Sequence, residues 1–512
     1  MNLTSDISTL GSVEPFDVCI IGSGFAGTVL GILLVQQGVR VVMLESGFSL
    51  GRWLFDSRLK QLAMYTVSGD AGYRPERTKA RALGGNSNFW TGRCERYHPS
   101  DFEPHAYTPP ENPWPIGYRD LDRYYEKAEE ILRVRGSSLS GYAAPRSAAF
   151  PLRPRVSIAG LKSLIAKAGV TVDDSPTATP RRALRFFRLP QELLPRFTSH
   201  PNALALSGAT VTRLVTDGVT RRVVGAEAKA LDGTTRIARA KVFVVACGGI
   251  ESPRLLLLSR SEAYPNGIGN AYDRVGRGFN EHPNVNFYSN IRHSRHTLAP
   301  LHKVGRSHQF YDSFRGEGLG GVLPVFIQSW FFPDHLVQPK LSMIPESVAA
   351  FAKRAFRPTL KIGALVEMLP RDDNRVTLST DASDRFGNPL AHLHLGFSEQ
   401  DRRMLDRTRE LIRGILGRLG ADGIDESDLT WARHHIGTCR MGDDPRTSVV
   451  DRNLRVHDCA NLYVSGCETF VTGAAVPPVM TIVALAHRLA EHLAARMRQE
   501  DHRPLVAGAV GS

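Results

Sequence analysis

One stretch near the N-terminus, FDVCIIGSGFAGTVLGILLVQQGVRVVMLESG (16–47), limits the fold more than any other part of this chain. A short apolar run rich in β-branched residues precedes Gly22, Gly24 and Gly27, which have G-x-G-x-x-G spacing. An apolar helical pattern follows, and a second β-branched run ends at Glu45. This order of segments predicts a strand, a tight turn, a helix and a second strand, the βαβ unit that binds dinucleotides.

The three glycines have different physical roles in such a turn. Gly22 permits the tight turn, Gly24 lets the main chain approach a pyrophosphate without a Cβ, and Gly27 lets the helix pack close to the strand. The helix N-terminus then directs free N–H groups at the phosphates, and Glu45 accepts hydrogen bonds from the adenosine ribose. This pattern does not separate FAD from NAD. A 2′-phosphate is disfavoured because Glu45 would repel it and no Arg is adjacent in the sequence.

Length and composition limit the remaining possibilities. The 512 residues exceed one ordinary hydrophobic core, so we expect two structural domains. The N-terminus lacks the pattern of a signal peptide, and no apolar stretch is long enough to span a bilayer, which predicts a cytoplasmic protein. The six cysteines have no C-x-x-C pairing, so neither a disulfide framework nor a metal site is expected.

The net charge of +13 is carried mainly by scattered arginines. Six of them between 402 and 418 share a helical pattern with apolar residues at core spacing, which is typical of a solvated helix face. We therefore expect no nucleic-acid partner. An anionic substrate remains open.

Seven further segments, taken in order, resemble the glucose-methanol-choline (GMC) family of FAD-dependent oxidoreductases over nearly the whole chain. They are ALGGNSNFWTG (82–92), WPIGYRDLDRYYEKAEE (114–130), VVACGGIESPRLLLLS (244–259), VGRGFNEHPN (275–284), NRVTLS (374–379), HHIGTCRMG (434–442), and NLYVSG (461–466) with the following PPVMTIVALA (477–486). The GGNSNFWTG form is more similar to the bacterial sugar-oxidising and pyranose-oxidase branch than to the glucose oxidase branch.

The resemblance implies an α/β fold, with a Rossmann-like FAD-binding domain of the GMC type and a second α+β substrate domain on an antiparallel sheet. The FAD-binding domain would comprise 12–100, 200–280 and 432–500, and the substrate domain 101–199 and 281–431. In addition to the residues of the βαβ unit, the resemblance places these along the FAD: Gly84, Gly85, Asn88, Trp90, Thr91, Val211, Cys247, Gly248, Gly466, Cys467, Pro478, Val479 and Met480. Pyranose oxidase attaches its flavin to a His, and Phe89 stands at that position here, so non-covalent FAD is expected.

Oxidation of an alcohol by hydride transfer requires a base near the hydroxyl proton, and the unperturbed pKa of histidine suits this role. In the family the base lies three residues before the Gly-Thr of H-x-x-G-T, which is His434 here, with His435 adjacent. Successive residues in an extended loop point to opposite sides, so only one of the two should face the flavin. We favour His434, with His435 as the alternative.

The family usually places a second His or Asn just before the last helix, but this chain has Pro477 there, or Pro478 in the glucose oxidase register. Three explanations remain open. His434 alone suffices, which we favour; or a polar side chain from another segment replaces the missing one, for which the candidates are Thr472, Glu468 and His282; or alcohol oxidation has been lost.

The leading hypothesis is therefore the FAD-dependent oxidation of a primary or secondary alcohol, such as a sugar or glycoside-like hydroxyl, to a carbonyl. The expected partners are a small-molecule alcohol and an electron acceptor, either O₂ or another compound. The alternative is a flavoprotein of the same fold with non-oxidative, lyase-like chemistry, because Pro477 lacks a group that can transfer a proton.

Overall fold

A computed structural model of the protein describes residues 2–11, 15–181, 187–290, 303–329 and 359–501. Its strands in this part of the chain are, in order, β1 Leu3–Thr4, β2 Phe16–Ile21, β3 Val41–Glu45, β4 Tyr65–Ser68, β5 Val134–Arg135, β6 Asp173–Asp174, β7 Thr177–Ala178, β8 Ala203–Ser207, β9 Thr210–Thr216, β10 Val223–Lys229, β11 Thr235–Ala238, β12 Ala240–Val245, β13 Pro283–Asn290, β14 Lys303–Arg306, β15 Val322–Ser329, β16 Thr359–Val366, β17 Arg375–Ser383, β18 Pro389–His394, β19 Asp422–Glu426, β20 Thr430–Trp431 and β21 Leu462–Val464.

The helices of the same residues are mostly short, apart from α10 and α11. They are α1 Phe25–Val35, α2 Leu50–Phe55, α3 Ser57–Leu62, α4 Pro99–Phe102, α5 Tyr118–Ile131, α6 Ala159–Ala166, α7 Leu189–Glu192, α8 Leu194–Thr198, α9 Gly248–Leu258, α10 Glu399–Arg418 and α11 Val479–Asp501. Short 3₁₀ turns lie at Ile7–Gly11, Pro75–Arg77, Gly85–Asn88, Arg315–Glu317 and Cys467–Thr469.

A parallel sheet with the order β1-β8-β3-β2-β12-β21 forms the first layer of the fold. Its strands are almost entirely buried because helices cover them, as in other parallel sheets. The predicted βαβ unit is β2-α1-β3, with Ile20 paired to Met43. The apolar pattern after Gly27 predicts a helix from Thr28 to Gln37, but α1 begins earlier, at Phe25, directly after Gly24.

The second predicted strand–glycine–helix segment also begins earlier than expected. The pattern of VVACGGIESPRLLLLS (244–259) predicts a helix from Arg254, after Pro253, but α9 starts at Gly248 and contains Pro253. Proline has no N–H for the carbonyl four residues before it. Here that carbonyl belongs to Gly249 and accepts a hydrogen bond from the Thr438 hydroxyl at 2.9 Å instead. A distant loop therefore compensates for the missing helical bond.

An antiparallel sheet with the order β19-β13-β16-β15-β14-β6, and with β20 paired to β13, forms the second layer. Helix α10 packs its apolar face on this sheet, where Ile412 and Ile415 join a separate core with Phe287 and Phe326. Ser398 caps the helix by accepting from the backbone N–H of Asp401. The fold class predicted from the sequence is confirmed, while the domain boundaries remain a prediction.

The opposite face of α10 carries the arginines of the sequence pattern. Arg407 pairs with Glu317 and Glu410, and Arg409 with Glu426. These charges therefore have acidic partners on the protein itself. None of the helices in the described ranges combines the length and apolarity needed to cross a membrane.

The second core yields a stability prediction. Ile412 is fully buried, so Ile412→Ala should lower the free energy of unfolding by about 3 kcal/mol through lost burial and a residual cavity. Arg403→Ala, on the exposed face of the same helix, is the matched control and should change it by less than about 0.5 kcal/mol. Urea denaturation of both variants measures the difference. Equal effects would show that α10 does not depend on this packing.

Candidate active site

A cleft opens at the carboxyl ends of β2, β3 and β12, the usual ligand position in a parallel α/β sheet. Most of the residues predicted from the sequence line it: Gly22, Gly24, Glu45, Gly84, Gly85, Trp90, Val211, Cys247, Gly248, His434, His435, Gly466, Cys467, Pro478 and Val479. The structure therefore brings together residues that are more than 400 positions apart.

Four predicted residues lie away from the cleft wall. Gly27 faces the turn, Asn88 donates to the carbonyls of Leu83 and Gly85, Thr91 is exposed, and Met480 is buried in the core. Gly27 and Asn88 thus shape the cleft without lining it. The sequence pattern could not make this distinction because it shows spacing and not direction.

The turn formed by Gly22, Gly24 and Gly27, called the glycine turn below, shows why each of these glycines is required. Gly22 has φ +108°, and a Cβ there would lie 2.4 Å from the Ala246 carbonyl oxygen. A Cβ on Gly27 would lie 2.1 Å from the Gly22 oxygen, whereas one on Gly24 would meet nothing within 4 Å. Gly22 and Gly27 therefore allow close packing, while Gly24 leaves room at the helix N-terminus for a ligand.

Glu45 ends β3 at the cleft and is held by three hydrogen bonds. Its carboxylate accepts from the Ser23 hydroxyl at 2.6 Å, the Ser23 N–H at 3.1 Å and the Gly47 N–H at 2.7 Å. These donors fix the acid at the turn, where the dinucleotide fold binds ribose.

Two buried cations near the glycine turn were missed by the sequence analysis. Arg81 donates to Ser46 at 3.0 Å and lies 2.8 Å from Glu251. Lys79 Nζ lies 3.8 Å from Glu251 and has no hydrogen-bond partner among the described residues. The view that no arginine stands beside Glu45 thus holds for the sequence only, since Arg81 reaches the neighbouring Ser46. The sequence did contain a signal for these two cations, because Lys79 and Arg81 lie a few residues before the Gly84–Gly85 loop.

This donor set fits the diphosphate of FAD. The N-terminus of α1 after Gly24, the ammonium group of Lys79 and the guanidinium of Arg81 face one cleft, and each of these groups favours an anion. Trp90 adds a flat apolar wall, packed at 4.7 Å against Phe25. Other lining residues that the sequence analysis missed are Ser23, Glu251, Arg254, Asp384 and Asn388.

The loop that carries His434 and His435, called the histidine loop below, is anchored by one buried carboxylate. Glu281 accepts the backbone N–H groups of His434 at 2.6 Å, Arg433 at 2.8 Å and His282 at 2.9 Å. Burial raises the pKa of Glu281 to about 7, and these three donors oppose that shift. A single acid therefore binds two segments that lie about 150 residues apart in the sequence.

His434 and His435 point to different surroundings, although both line the cleft. His435 is buried, and its Nε2 lies 3.1 Å from the Thr78 hydroxyl. His434 is only partly buried and contacts His282. Burial lowers the pKa of His434 well below its usual range and that of His435 to about 3, so both rings are neutral near pH 7.

The three candidates for the missing second side chain are now distinguishable. Thr472 accepts from Trp114 at 2.9 Å, and Glu468 accepts from Ser252 at 2.7 Å. His282 is the one whose side chain contacts His434, with 2.7 Å between the two Nδ1 atoms. Pro478 lines the cleft, whereas Pro477 is buried outside its wall.

The described residues contain no group of three or more His, Cys, Asp or Glu side chains that could hold a metal ion. All six cysteines are free thiols.

Comparison with known protein families and relatives agrees with this geometry. A model described as FAD binding domain matches residues 15–48, and models described as GMC oxidoreductase match 189–284 and 370–486. Paromamine 6'-oxidase of Streptomyces fradiae is 30% identical, with 94% of this chain and 91% of that protein covered. The fructose dehydrogenase large subunit of Gluconobacter japonicus is 25% identical, with 94% and 98% covered.

Among solved structures, pyridoxine 4-oxidase from Mesorbium loti superimposes with a TM-score of 0.65 at 20% identity, covering 95% of this chain and 99% of that one. That likeness concerns the fold. The family models and the relatives together define an oxidoreductase that binds FAD. The chain belongs to the GMC oxidoreductase family. The family and the cofactor predicted from the sequence are thus confirmed.

The glycine turn gives a paired prediction. In Gly24→Ala the added methyl group meets no protein atom, so the melting temperature of the FAD-free protein should stay unchanged while FAD affinity falls at least about tenfold. In Gly27→Ala the methyl group meets the Gly22 carbonyl, so the protein itself should be destabilised. Thermal melting and titration with FAD separate the two effects. Wild-type FAD affinity in the Gly24 variant would contradict close approach of the ligand at this position.

Proposed function

We propose that the protein oxidises a hydroxyl group of a small alcohol, a sugar or glycoside-like compound, to a carbonyl, with His434 as the catalytic base. One observation carries this proposal. His434 lines the FAD cleft as a neutral imidazole, and its Nε2 has no hydrogen-bond partner among the described residues. A neutral imidazole with a free nitrogen can accept a hydroxyl proton.

The roles of the other residues follow from their contacts. Bound FAD supplies the acceptor for the hydride that leaves the carbinol carbon. Glu281 holds the backbone of His434, so that the ring is presented to the cleft without rearrangement. His435 forms a hydrogen bond with Thr78, which helps to hold the loop in place.

The substrate class is inferred from two sources. The sequence resemblance indicates the sugar-oxidising branch, and the relatives include a paromamine 6'-oxidase, a fructose dehydrogenase subunit and C-glycoside 3-oxidases from Microbacterium trichothecenolyticum and Arthrobacter globiformis. These names support a polyhydroxylated substrate. The second substrate is an electron acceptor, O₂ or another compound.

We also propose that FAD is held without a covalent bond. Phe89 lies on the cleft wall, under the Arg433 guanidinium at 4.8 Å, and its ring offers no nucleophile. Acid or heat should therefore release intact FAD into the supernatant, as measured by its fluorescence. Flavin colour that migrates with the denatured chain on a gel would contradict this.

The role of His434 is testable by flavin reduction. A reactive alcohol should bleach the oxidised flavin spectrum under anaerobic conditions, and His434→Ala should slow this at least about 100-fold while FAD stays bound, because the proton acceptor is lost. His457→Ala is the matched control, since His457 contacts Ser448 and lies outside the cleft wall. Bleaching that survives in His434→Ala but is lost in His435→Ala would transfer the role to His435. No bleaching across a broad alcohol panel would favour non-oxidative chemistry.

The lowered pKa of His434 predicts the pH dependence. The neutral form is the active base and is present above the pKa of the group. A histidine with the usual value of 6.5 would be half protonated at pH 6.5, whereas burial and the neighbouring His282, His435 and Arg306 keep His434 neutral to lower pH. The rate of flavin reduction should therefore fall only below pH 6.5.

Stopped-flow reduction between pH 5 and 9 measures this profile. Because Glu281 titrates near pH 7, the melting temperature over the same range shows whether the loop stays folded. A rate that halves at or above pH 6.5, with an unchanged melting temperature, would contradict the assignment.

A further inference from the structure

We propose that His282 positions the base. It holds His434 in the tautomer whose Nε2 is unprotonated, and it thereby takes the place of the side chain that Pro477 cannot provide. This inference rests on the proposed function and specifies how the base is prepared. His282 does not itself line the cleft, so it acts through His434, which does.

Nε2 of His282 faces two backbone carbonyls. It lies 2.8 Å from the Ala474 carbonyl oxygen and 3.1 Å from the Gly473 carbonyl oxygen. Carbonyl oxygens only accept hydrogen bonds, so this nitrogen carries the proton and donates to them. Gly473 allows the contact, since a Cβ there would lie 3.3 Å from Nε2.

The Nδ1 atoms of His282 and His434 are 2.7 Å apart. His282 is fully buried, and burial lowers its pKa, so the ring is neutral near pH 7. A neutral ring with a proton on Nε2 has a bare Nδ1, which can only accept. His434 must therefore donate from Nδ1, and its own Nε2 is left unprotonated. Two backbone carbonyls thus determine the protonation pattern of the base.

The surroundings keep this arrangement in one state. The charged and titratable groups that act on the pair are Arg306 and His435, which disfavour a proton on His434, and Glu367, which favours one on His282. Glu281 binds the backbone of both residues. The Glu367 carboxylate also accepts from the Ala474 N–H at 3.0 Å, so it holds the carbonyl segment to which His282 donates.

The alternative tautomer of His434 could not act as a base. If His434 carried its proton on Nε2, that nitrogen could donate to an alcohol but could not take its proton. Loss of the correct tautomer in a catalytic histidine typically costs several orders of magnitude in rate, as in serine proteases. A second residue that sets the tautomer is therefore a functional requirement and more than a packing contact.

The test compares two substitutions of His282 in the FAD-bound enzyme. His282→Asn keeps an oxygen at the position of Nδ1, and the carbonyls of Gly473 and Ala474 orient the amide so that its NH₂ faces them. His282→Leu fills a similar space but accepts no hydrogen bond. We expect the limiting rate of anaerobic flavin reduction to stay within about tenfold of wild type in His282→Asn and to fall at least about 100-fold in His282→Leu, with the apparent substrate Kd nearly unchanged in both.

Each outcome decides the inference. A wild-type rate in His282→Leu would overturn it, and so would an FAD-loaded His282→Asn as slow as His434→Ala. The result for His282→Asn can be interpreted without the leucine variant, so the test remains decisive if His282→Leu does not retain FAD. His434→Ala, measured in parallel, separates the two levels: if it reduces flavin normally, the proposed function fails; if it is slow while His282→Leu is fast, only the role of His282 fails.

Discussion

The cleft depends on one close contact of main chain with main chain. At the glycine turn, α1 packs so tightly on β2 that a Cβ on Gly27 would collide with the Gly22 carbonyl, and Gly22 itself lies against the end of β12. This contact brings the ends of three parallel strands together and leaves the first N–H groups of α1 facing open space. The cofactor end of the site is therefore shaped mainly by main-chain atoms, and side chains contribute less to its shape.

The chemical end of the site is built differently. The histidine loop has no regular secondary structure in its central part, and a buried acid, Glu281, holds it by three N–H groups. A buried carboxylate costs free energy unless donors surround it, so its presence binds the loop to the start of β13. Because Glu281 accepts the backbone N–H groups of both His282 and His434, it holds the two residues side by side. The position of His434 is thus linked to the start of β13.

Local sequence pattern predicts a large part of this architecture. The βαβ unit and α10 with its solvated arginines follow from it, because periodicity and glycine spacing report on neighbours in the chain, and the resemblance to the GMC family added the flavin and the antiparallel second layer. Helix boundaries were predicted less well. Helix α9 starts at Gly248 because the Thr438 hydroxyl satisfies the carbonyl that Pro253 leaves without a partner. That hydroxyl comes from almost 190 residues away, and no local pattern contains it.

The amino-acid sequence determined that the glycines at 22, 24 and 27 form the turn and, through the family resemblance, that the protein binds FAD, and it predicted a histidine at 434 or 435 as the base. Only the tertiary structure decided that Lys79 and Arg81 face the same cleft, that Gly27 and Asn88 support its wall from behind, and that His282 stands against His434. The physical reason is direction. Spacing predicts which residues share an element, but side chains from distant segments meet only when the packed sheets aim them at one point.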